Sequence, residues 1–204
     1  MPIKAIMVDI DGVLLVRPDP GGWSANLERD LGVSAATLQS AFFEPHWDDV
    51  VHVRAALRER LEPVLADFAP LLPYRTLIDY WFSNDAHVDS VLLAELAELR
   101  AGGTQIHLAT VQERERARYL WEDLGFSRAS DGLHYTAALG YSKPDPGFCQ
   151  TIEARTGFRS KDLFFIDDTI ANVDAATRCG WAAAMWTGTE TLGSLLSGQR
   201  QHVR

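Results

Sequence analysis

Short apolar runs alternate with helical patterns along most of the chain. The longest runs have the length and apolar character of strands that are buried on both faces of a parallel sheet. The predicted strands lie at residues 3–8, 105–109, 133–135, 163–166 and 181–186. Helical patterns occur between and after them, at residues 88–100, 113–124, 146–155, 170–179 and 189–196. This alternation predicts an α/β fold with a Rossmann-like parallel sheet that carries helices on both faces.

Residues 17–86 interrupt the alternation, because no convincing strand pattern occurs there. The segment opens with Arg-Pro-Asp-Pro-Gly-Gly at residues 17–22, a composition that breaks regular structure. The predicted helices are 24–31, 34–43, 47–61 and 74–82, with Ser24 and Ser34 as N-caps, Gly32 as a stop, and Pro63, Pro70 and Pro73 between the last two helices. We therefore predict an α/β core at residues 1–16 and 87–204, and an inserted helical cap subdomain at residues 17–86.

Composition narrows the class of protein. The 204 residues include 28 acidic and 19 basic side chains, which gives a formal net charge of −9. A nucleic-acid partner is not expected, because binding to the phosphate backbone needs clustered cations. We interpret Cys149 and Cys179 as reduced thiols rather than a disulfide, and we find no targeting or membrane-spanning segment. We expect a cytoplasmic protein without a membrane partner, and a monomer or homodimer.

Two carboxylates and a glycine follow the first apolar run. Asp9 and Asp11 are two residues apart, so their side chains share a face if the strand continues that far. Like charges at such a distance need a cation, a shared proton or separation. Gly12 lets the backbone turn sharply after them. Taken alone, this pattern also fits an Asp-rich turn between a strand and a loop.

Other polar residues follow neighbouring strands of the predicted sheet. Thr110 ends the second run, and Asp167 and Asp168 end the fourth, while Lys143 precedes a helix. Ligands of such sheets bind beyond the carboxyl ends of the strands, and hard carboxylate oxygens suit Mg²⁺. Each residue also has a structural alternative: Thr110 or the acidic pair as a helix cap, and Lys143 as a solvated loop residue.

These residues, in this order, resemble the four motifs of the haloacid dehalogenase-like hydrolase superfamily. The motifs are Asp9-Ile10-Asp11-Gly12-Val13, Thr110, Lys143-Pro144-Asp145-Pro146, and Asp167-Asp168 with Asn172. The resemblance extends from residue 3 to about residue 186. It implies Mg²⁺-dependent phosphoryl transfer through an aspartyl-phosphate.

The resemblance also implies a role for each residue. Asp9 would be the nucleophile, and Asp11 the general acid and then the general base, a role that needs a raised pKa. The implied phosphate contacts are Gly12, Thr110, the backbone amide of Val111, and Lys143, which also neutralises charge on Asp9. The implied metal ligands are Asp9, the backbone carbonyl of Asp11, Asp167 and Asp168, with Asp168 favoured as the direct ligand of the last two. Asn172 would support the acidic loop.

One departure and several alternatives remain open. The family often has Asn where this chain has Val111, so a side-chain contact is lost and turnover is expected to be modest. The presence of Asp11 favours a phosphatase over a 2-haloacid dehalogenase, because a halide leaving group needs no proton. A phosphomutase and a phosphate-binding regulatory protein with weak turnover are retained as alternatives. A receiver-type signalling domain fits less well, because its motifs come in a different order and it has no helical insert.

The inserted segment resembles the small helical cap of the branch that includes sugar-phosphate phosphatases and the phosphatase domain of soluble epoxide hydrolase. A cap of this kind implies a small phosphorylated metabolite as substrate, with sugar phosphates among the candidates. The cap residues considered to face the pocket are Phe43, His46, Trp47 and Arg54. The favoured interpretation, however, places Trp47 in the core of the cap and His46 at its surface, as isolated aromatic residues and histidines usually are.

Overall fold

The computed structural model describes residues 3–199 and contains one five-stranded parallel sheet. The strands are β1 (Ala5–Val8), β2 (Gln105–Thr110), β3 (Gly132–Tyr135), β4 (Leu163–Asp167) and β5 (Ala182–Met185). Their order across the sheet is β3-β2-β1-β4-β5, and helices lie on both faces. The predicted α/β fold class is therefore confirmed. The outermost residues of the predicted core, 1–2 and 200–204, lie outside the described residues.

Strand β1 is the centre of the sheet because its side chains are apolar on both faces. Ile6 and Val8 belong to one buried cluster, whereas Ala5 and Met7 belong to another on the opposite face. All four side chains are fully buried. Since β1 pairs with both β2 and β4, the residues that follow these three strands meet at one edge of the sheet.

The segment between the first two strands is helical. It contains α1 (Leu27–Leu31), α2 (Ala35–Leu38), α3 (Glu44–Val51), α4 (Leu57–Phe68) and α5 (Tyr74–Asn84). A π-helical turn at Gln39–Phe43 joins α2 to α3 without a break. These helices pack around a hydrophobic cluster of their own, which includes Leu27, Phe42, Leu61 and Ile78.

Three details of the predicted insert are wrong. Ser24 does not cap a helix, since it ends a 3₁₀ turn at Gly22–Ser24 and α1 begins only at Leu27. The single predicted helix 47–61 is two helices, because the chain turns at Val53 with a φ of +60°. Pro63 lies inside α4 rather than between helices. By contrast, Ser34 caps α2 by accepting a hydrogen bond from the Thr37 amide.

The remaining helices cover the two faces of the sheet. They are α6 (Ser90–Ala101), α7 (Arg114–Arg118), α8 (Phe126–Ala129), α9 (Thr136–Leu139), α10 (Pro146–Thr156), α11 (Ile170–Arg178) and α12 (Leu192–Gln199). Leu96 of α6 and Leu192 of α12 pack on one face, and Ile152 of α10 and Ala176 of α11 on the other. No helix between residues 3 and 199 is both long and apolar enough to cross a membrane.

Two buried histidines connect β2 to the edge strand β3. His107 Nδ1 lies 3.1 Å from His134 Nε2, and His107 Nε2 lies 3.0 Å from the Gln105 side-chain oxygen. Because that oxygen accepts, His107 carries its proton on Nε2 and accepts from His134 on Nδ1. Burial lowers the pKa of both rings, and repulsion from His107 helps to lower the pKa of His134 to about 4.

We expect this pair to make the fold less stable in mild acid. A folded-state pKa of about 4 lies below the ordinary value of 6.5, so the stability that neutral His134 contributes is present above pH 6.5 and is lost as the pH falls towards 4. The loss at pH 5 is about 2 kcal/mol. Urea unfolding at pH 7 and pH 5 should show a smaller loss for His134→Gln than for the unmodified chain. The control is His87→Gln, which replaces an exposed histidine. Equal losses of stability in His134→Gln and in the unmodified chain would contradict this assignment.

Candidate functional site

Asp9 follows β1 directly and is held rigidly at the carboxyl edge of the sheet. Its backbone amide donates to the Ile166 carbonyl at 3.0 Å, which continues the β1–β4 pairing by one residue. Its side-chain Oδ1 accepts from the Ile10 amide at 2.7 Å. The residue is 7% exposed, so this carboxylate is buried at the end of a central strand. A buried carboxylate at this position needs compensation by a cation.

A tight loop follows Asp9 and turns the chain back on itself. The Leu15 amide donates to the Ile10 carbonyl, and the Gly12 amide donates to the Leu15 carbonyl, at 2.7 and 2.9 Å. The strand therefore ends at Val8. Because the chain is not extended as far as Asp11, strand alternation does not put the side chains of Asp9 and Asp11 on one face. The loop instead brings Asp11 to the wall of a cavity, where its Oδ2 accepts a hydrogen bond from the Gln112 side-chain amide.

Lys143 provides the buried cation. Its Nζ lies 2.8 Å from Asp9 Oδ1 and 2.5 Å from Asp167 Oδ2, and its side chain is only 5% exposed. The lysine is positioned by the start of α10, where Asp145 caps the helix by accepting from the Gly147 amide at 2.7 Å. One ammonium group therefore joins the ends of β1 and β4.

Asp167 and Asp168 have different surroundings. Asp167 is fully buried, and its carboxylate accepts from Lys143, from the Asn172 side chain at 3.0 and 3.1 Å, and from the Thr169 amide at 2.8 Å. Asp168 is exposed, and among residues 3–199 its single hydrogen-bond donor is the Thr169 hydroxyl, at 3.2 Å. Asn172 thus orients the acidic loop, as its predicted supporting role requires.

Three carboxylates come close enough together to share a metal ion. One oxygen from each of Asp9, Asp167 and Asp168 lies within 4.8 Å of the others. The backbone of Gly12 forms the neighbouring wall, since a Cβ added there would lie 2.0 Å from Asp168 Oδ2. The set consists of hard oxygen ligands of the kind that suits Mg²⁺.

Burial and mutual interaction shift the pKa values of three charged groups in the site. Burial raises the pKa of Asp9 to about 7, with Lys143 opposing this shift and Asp167 and Asp11 adding repulsion. Burial works against the charge on Lys143, but Asp9 and Asp167 outweigh it and raise the pKa of the ammonium group. Burial also raises the pKa of Asp11, although Arg116, Arg17 and Lys143 oppose it. Asp9 therefore needs additional positive charge to ionise fully at neutral pH.

Thr110 ends β2 beside Asp9. Its side chain is 1% exposed, and its hydroxyl oxygen has no hydrogen-bond partner within residues 3–199. A buried hydroxyl without a partner is costly, so a ligand that bonds to it would be stabilised. The structural alternative for Thr110, a helix cap, does not occur, because the Glu113 side chain caps the next helix, α7. Val111 follows and lines the cavity next to Asp11.

A cavity of about 400 Å³ lies between the sheet edge and the helical insert. Asp11 and Val111 form part of one side, and four aromatic side chains of the insert form another: Trp23, Phe43, Trp47 and Trp81. Phe43 and Trp47 thus line the cavity, and Trp47 also packs against the hydrophobic cluster of the insert, so its position fits both interpretations of the sequence. Arg54 is instead an exposed surface residue paired with Asp48 and Asp49, so that prediction is wrong. His46 is absent from the cavity lining and its ring lies 6.4 Å from that of Phe42.

Four charged or polar residues at the cavity did not emerge from the sequence: Arg17, Asp85, Gln112 and Arg116. Arg116 is 1% exposed and binds the end of α5, with its guanidinium donating to the carbonyls of Phe82 and Asp85. It also pairs with the Asp85 carboxylate at 3.2 Å. Of these four residues, Gln112 alone had a signal in the sequence, because it lies two residues after Thr110 at the end of a predicted strand.

Comparisons with known proteins find similarity of structure rather than of sequence. No protein-family model and no curated protein matches the chain. A HAD family enzyme from Bacteroides thetaiotaomicron, in a magnesium complex, matches with a TM-score of 0.80 at 16% identity, over 96% of this chain and 98% of that one. A HAD-like family hydrolase from Porphyromonas gingivalis matches with a TM-score of 0.75 at 18% identity, over 100% of both chains. An L-2-haloacid dehalogenase matches with a TM-score of 0.62 at 17% identity, over 98% of both.

Replacement of Gly12 by alanine should disrupt the acidic loop specifically. Gly12 and Gly140 have nearly the same backbone, with φ of +82° and +79°, so alanine costs about 1–2 kcal/mol of backbone strain at either position. Only at Gly12 does the new methyl group collide with Asp168; at Gly140 it enters open space. Because exposed Asp168 can turn away from the methyl group, we expect the difference in the Mg²⁺-induced rise of the unfolding temperature, which should be smaller for Gly12→Ala than for Gly140→Ala. An equal rise in both variants would mean that Gly12 does not make room for Asp168 in the acidic cluster.

Proposed function

Because this chain has the haloacid dehalogenase-like fold, we propose that it is a Mg²⁺-dependent phosphomonoester hydrolase that acts on a small phosphorylated metabolite through an aspartyl-phosphate. The observation that carries the proposal is the buried arrangement of Asp9, Lys143 and Asp167 at the carboxyl edge of the sheet. It combines a rigid carboxylate nucleophile with a cation that can neutralise a transferring phosphoryl group.

The residues present fit a magnesium ion. Asp167 already bonds to Lys143 and Asn172, whereas exposed Asp168 has free coordination capacity, which supports Asp168 as the direct ligand of the two. Asp9 and the backbone carbonyl of Asp11 would complete the protein ligands. When bound, the ion supplies the positive charge that lets Asp9 ionise and a dianionic phosphate enter the site. The magnesium complex of the B. thetaiotaomicron enzyme, also crystallised with inorganic phosphate, supports this assignment by similarity of fold.

The chain's own groups support a role for each residue in the two proposed chemical steps. Asp9 Oδ1 accepts from Lys143 and Ile10, which leaves Oδ2 to attack phosphorus in line with the leaving oxygen. Asp11 lies at the cavity wall, where it donates a proton to that oxygen as its bond to phosphorus breaks. Asp11 then takes a proton from the water that attacks the phosphoryl group, and Asp9 is released as a carboxylate. The free Thr110 hydroxyl and the Val111 amide bind phosphoryl oxygens.

A 2-haloacid dehalogenase is the second candidate, because an L-2-haloacid dehalogenase shares the fold. The position of Asp11 favours the phosphatase. Burial raises the pKa of this carboxyl, which suits a proton donor, and an alkoxide leaving group needs that proton whereas a halide does not. A phosphomutase would use the same intermediate and pass the phosphoryl group to an alcohol instead of water.

Phosphate release from a panel of small phosphomonoesters tests the proposal. We expect release with Mg²⁺, none with EDTA, and loss to background in Asp9→Asn. Asp11→Asn should lower kcat by about 100-fold or more, because it removes the general acid. Halide release from a 2-haloacid would point to the dehalogenase. If no ester and no haloacid is turned over by the folded protein, the proposal fails, and Mg²⁺-dependent phosphate binding would then identify a binding protein.

The metal site can be tested separately from turnover. Mg²⁺ should raise the thermal unfolding temperature of the unmodified chain, because it binds the folded state and offsets repulsion among the carboxylates. Asp168→Asn should reduce this rise strongly. Asp174→Asn removes one exposed carboxylate from α11, outside the acidic cluster, and should leave the rise unchanged. An equal Mg²⁺ response in all three proteins would exclude Asp168 as a ligand.

A further inference from the structure

Gln112 is a buried residue that the core holds firmly beside the proposed general acid. It is 4% exposed and lies two residues beyond the end of β2. Its backbone carbonyl accepts from the Ala137 amide at 3.2 Å, which continues the link between β2 and β3 into the first turn of α9. The next residue, Glu113, caps α7. The backbone of Gln112 is therefore fixed on both sides.

The side chain of Gln112 fixes one oxygen of the Asp11 carboxylate. Backbone hydrogen bonds among residues 10–15 close the loop that carries Asp11, but they leave the torsions of its side chain free. Among residues 3–199, the Gln112 side-chain amide is the single hydrogen-bond donor to this carboxylate, and it donates to Oδ2. The two residues are 101 positions apart in the chain. Their bond therefore joins the loops that follow β1 and β2.

The cations near Asp11 do not set its orientation in place of Gln112. Arg116, Arg17 and Lys143 all attract the carboxylate, although within residues 3–199 the structure shows no ion pair between any of them and Asp11. Arg116 is bonded to the end of α5 in the insert, whereas Lys143 is bonded at the edge of the sheet. Their attraction therefore acts in different directions. Without the bond from Gln112, the carboxylate would be free to turn towards the insert or towards the sheet.

We propose that Gln112 is the positioning residue of the general acid: by bonding to Oδ2 of Asp11, it turns Oδ1 towards the leaving oxygen of the substrate. An amide N–H bonds best to the carbonyl oxygen of a neutral carboxyl group, so the transferable proton lies on Oδ1. This proton passes to the leaving oxygen as the bond from that oxygen to phosphorus breaks, and Asp11 is left as a carboxylate that still accepts from Gln112. The inference rests on the proposed phosphatase activity and adds a residue to it.

Three esters with one ring each separate the proton step from binding. They are 4-nitrophenyl, phenyl and benzyl phosphate, whose leaving groups depend increasingly on a proton donor in that order. The quantity to compare is kcat/KM, because it includes only the steps up to departure of the leaving group. Gln112→Met keeps the length of the side chain and removes the donor. We expect it to lower kcat/KM for benzyl phosphate roughly tenfold more than for 4-nitrophenyl phosphate, with phenyl phosphate between them.

Two further variants complete this experiment. Gln112→Asn keeps the amide but withdraws it by one carbon, and it should give the same order of losses even if Gln112→Met does not fold. The control Gln150→Met replaces an exposed glutamine of α10 that does not line the cavity, and it should change none of the three values. Equal losses for all three esters in the folded Gln112 variants would overturn the inference and leave the phosphatase intact. No hydrolysis of these or any other phosphomonoester tested would overturn both.

A double-substitution cycle tests whether Gln112 acts through Asp11. With phenyl phosphate, Gln112→Met should lower kcat/KM in the unmodified chain. In the Asp11→Asn background it should change kcat/KM less than about twofold, because no carboxyl proton remains to be positioned. A loss of the same size in both backgrounds would overturn the inference, since Gln112 would then act on the site independently of Asp11.

Discussion

One buried ammonium group makes the rest of the site possible. Asp9 and Asp167 are both buried at the ends of neighbouring strands, and two uncompensated carboxylates there would oppose folding strongly. Lys143 lies between them within 2.8 Å of each and belongs to a loop that Asp145 fixes at the start of α10. This ion pair network positions the proposed nucleophile. It also leaves the site short of positive charge, a shortage that the proposed metal ion would offset.

The insert is attached to the core by polar contacts placed around the cavity. Arg116 of the core binds the last turn of α5, and the Tyr74 hydroxyl donates to Glu115 at 2.7 Å. A further contact is made by Ser142, the residue before Lys143. Its hydroxyl lies 3.1 Å from Nε2 of His52, which belongs to the insert. Apolar contacts add to these polar ones, because Tyr119 of the core packs against the hydrophobic cluster of the insert, with its ring centroid 5.4 Å from that of Phe82.

The sequence predicted the sheet and the carboxyl edge at which the candidate site lies because those features depend on local pattern. Apolar runs that end in Asp9, Thr110 and Asp167 define both the strands and the place where their ends meet. The break at Val53 could not be predicted, since no glycine or proline marks it and the turn is held by two amides that donate to the Asp49 carbonyl. Arg116 was missed for a similar reason: its partners are backbone carbonyls more than thirty residues away. Long-range contacts of this kind leave no periodic signal.

The central claim is that Asp9 carries the phosphoryl group. Its most direct test is mass analysis of Asp11→Asn after mixing with Mg²⁺ and an excess of 4-nitrophenyl phosphate, because the leaving group of this ester needs no proton from Asp11 and the variant lacks the base that activates water for the second step. The account predicts an added mass of one phosphoryl group, located by peptide analysis on Asp9, that is lost on treatment with hydroxylamine. Turnover with no phosphorylated protein, or a phosphoryl group on any other residue, would contradict it.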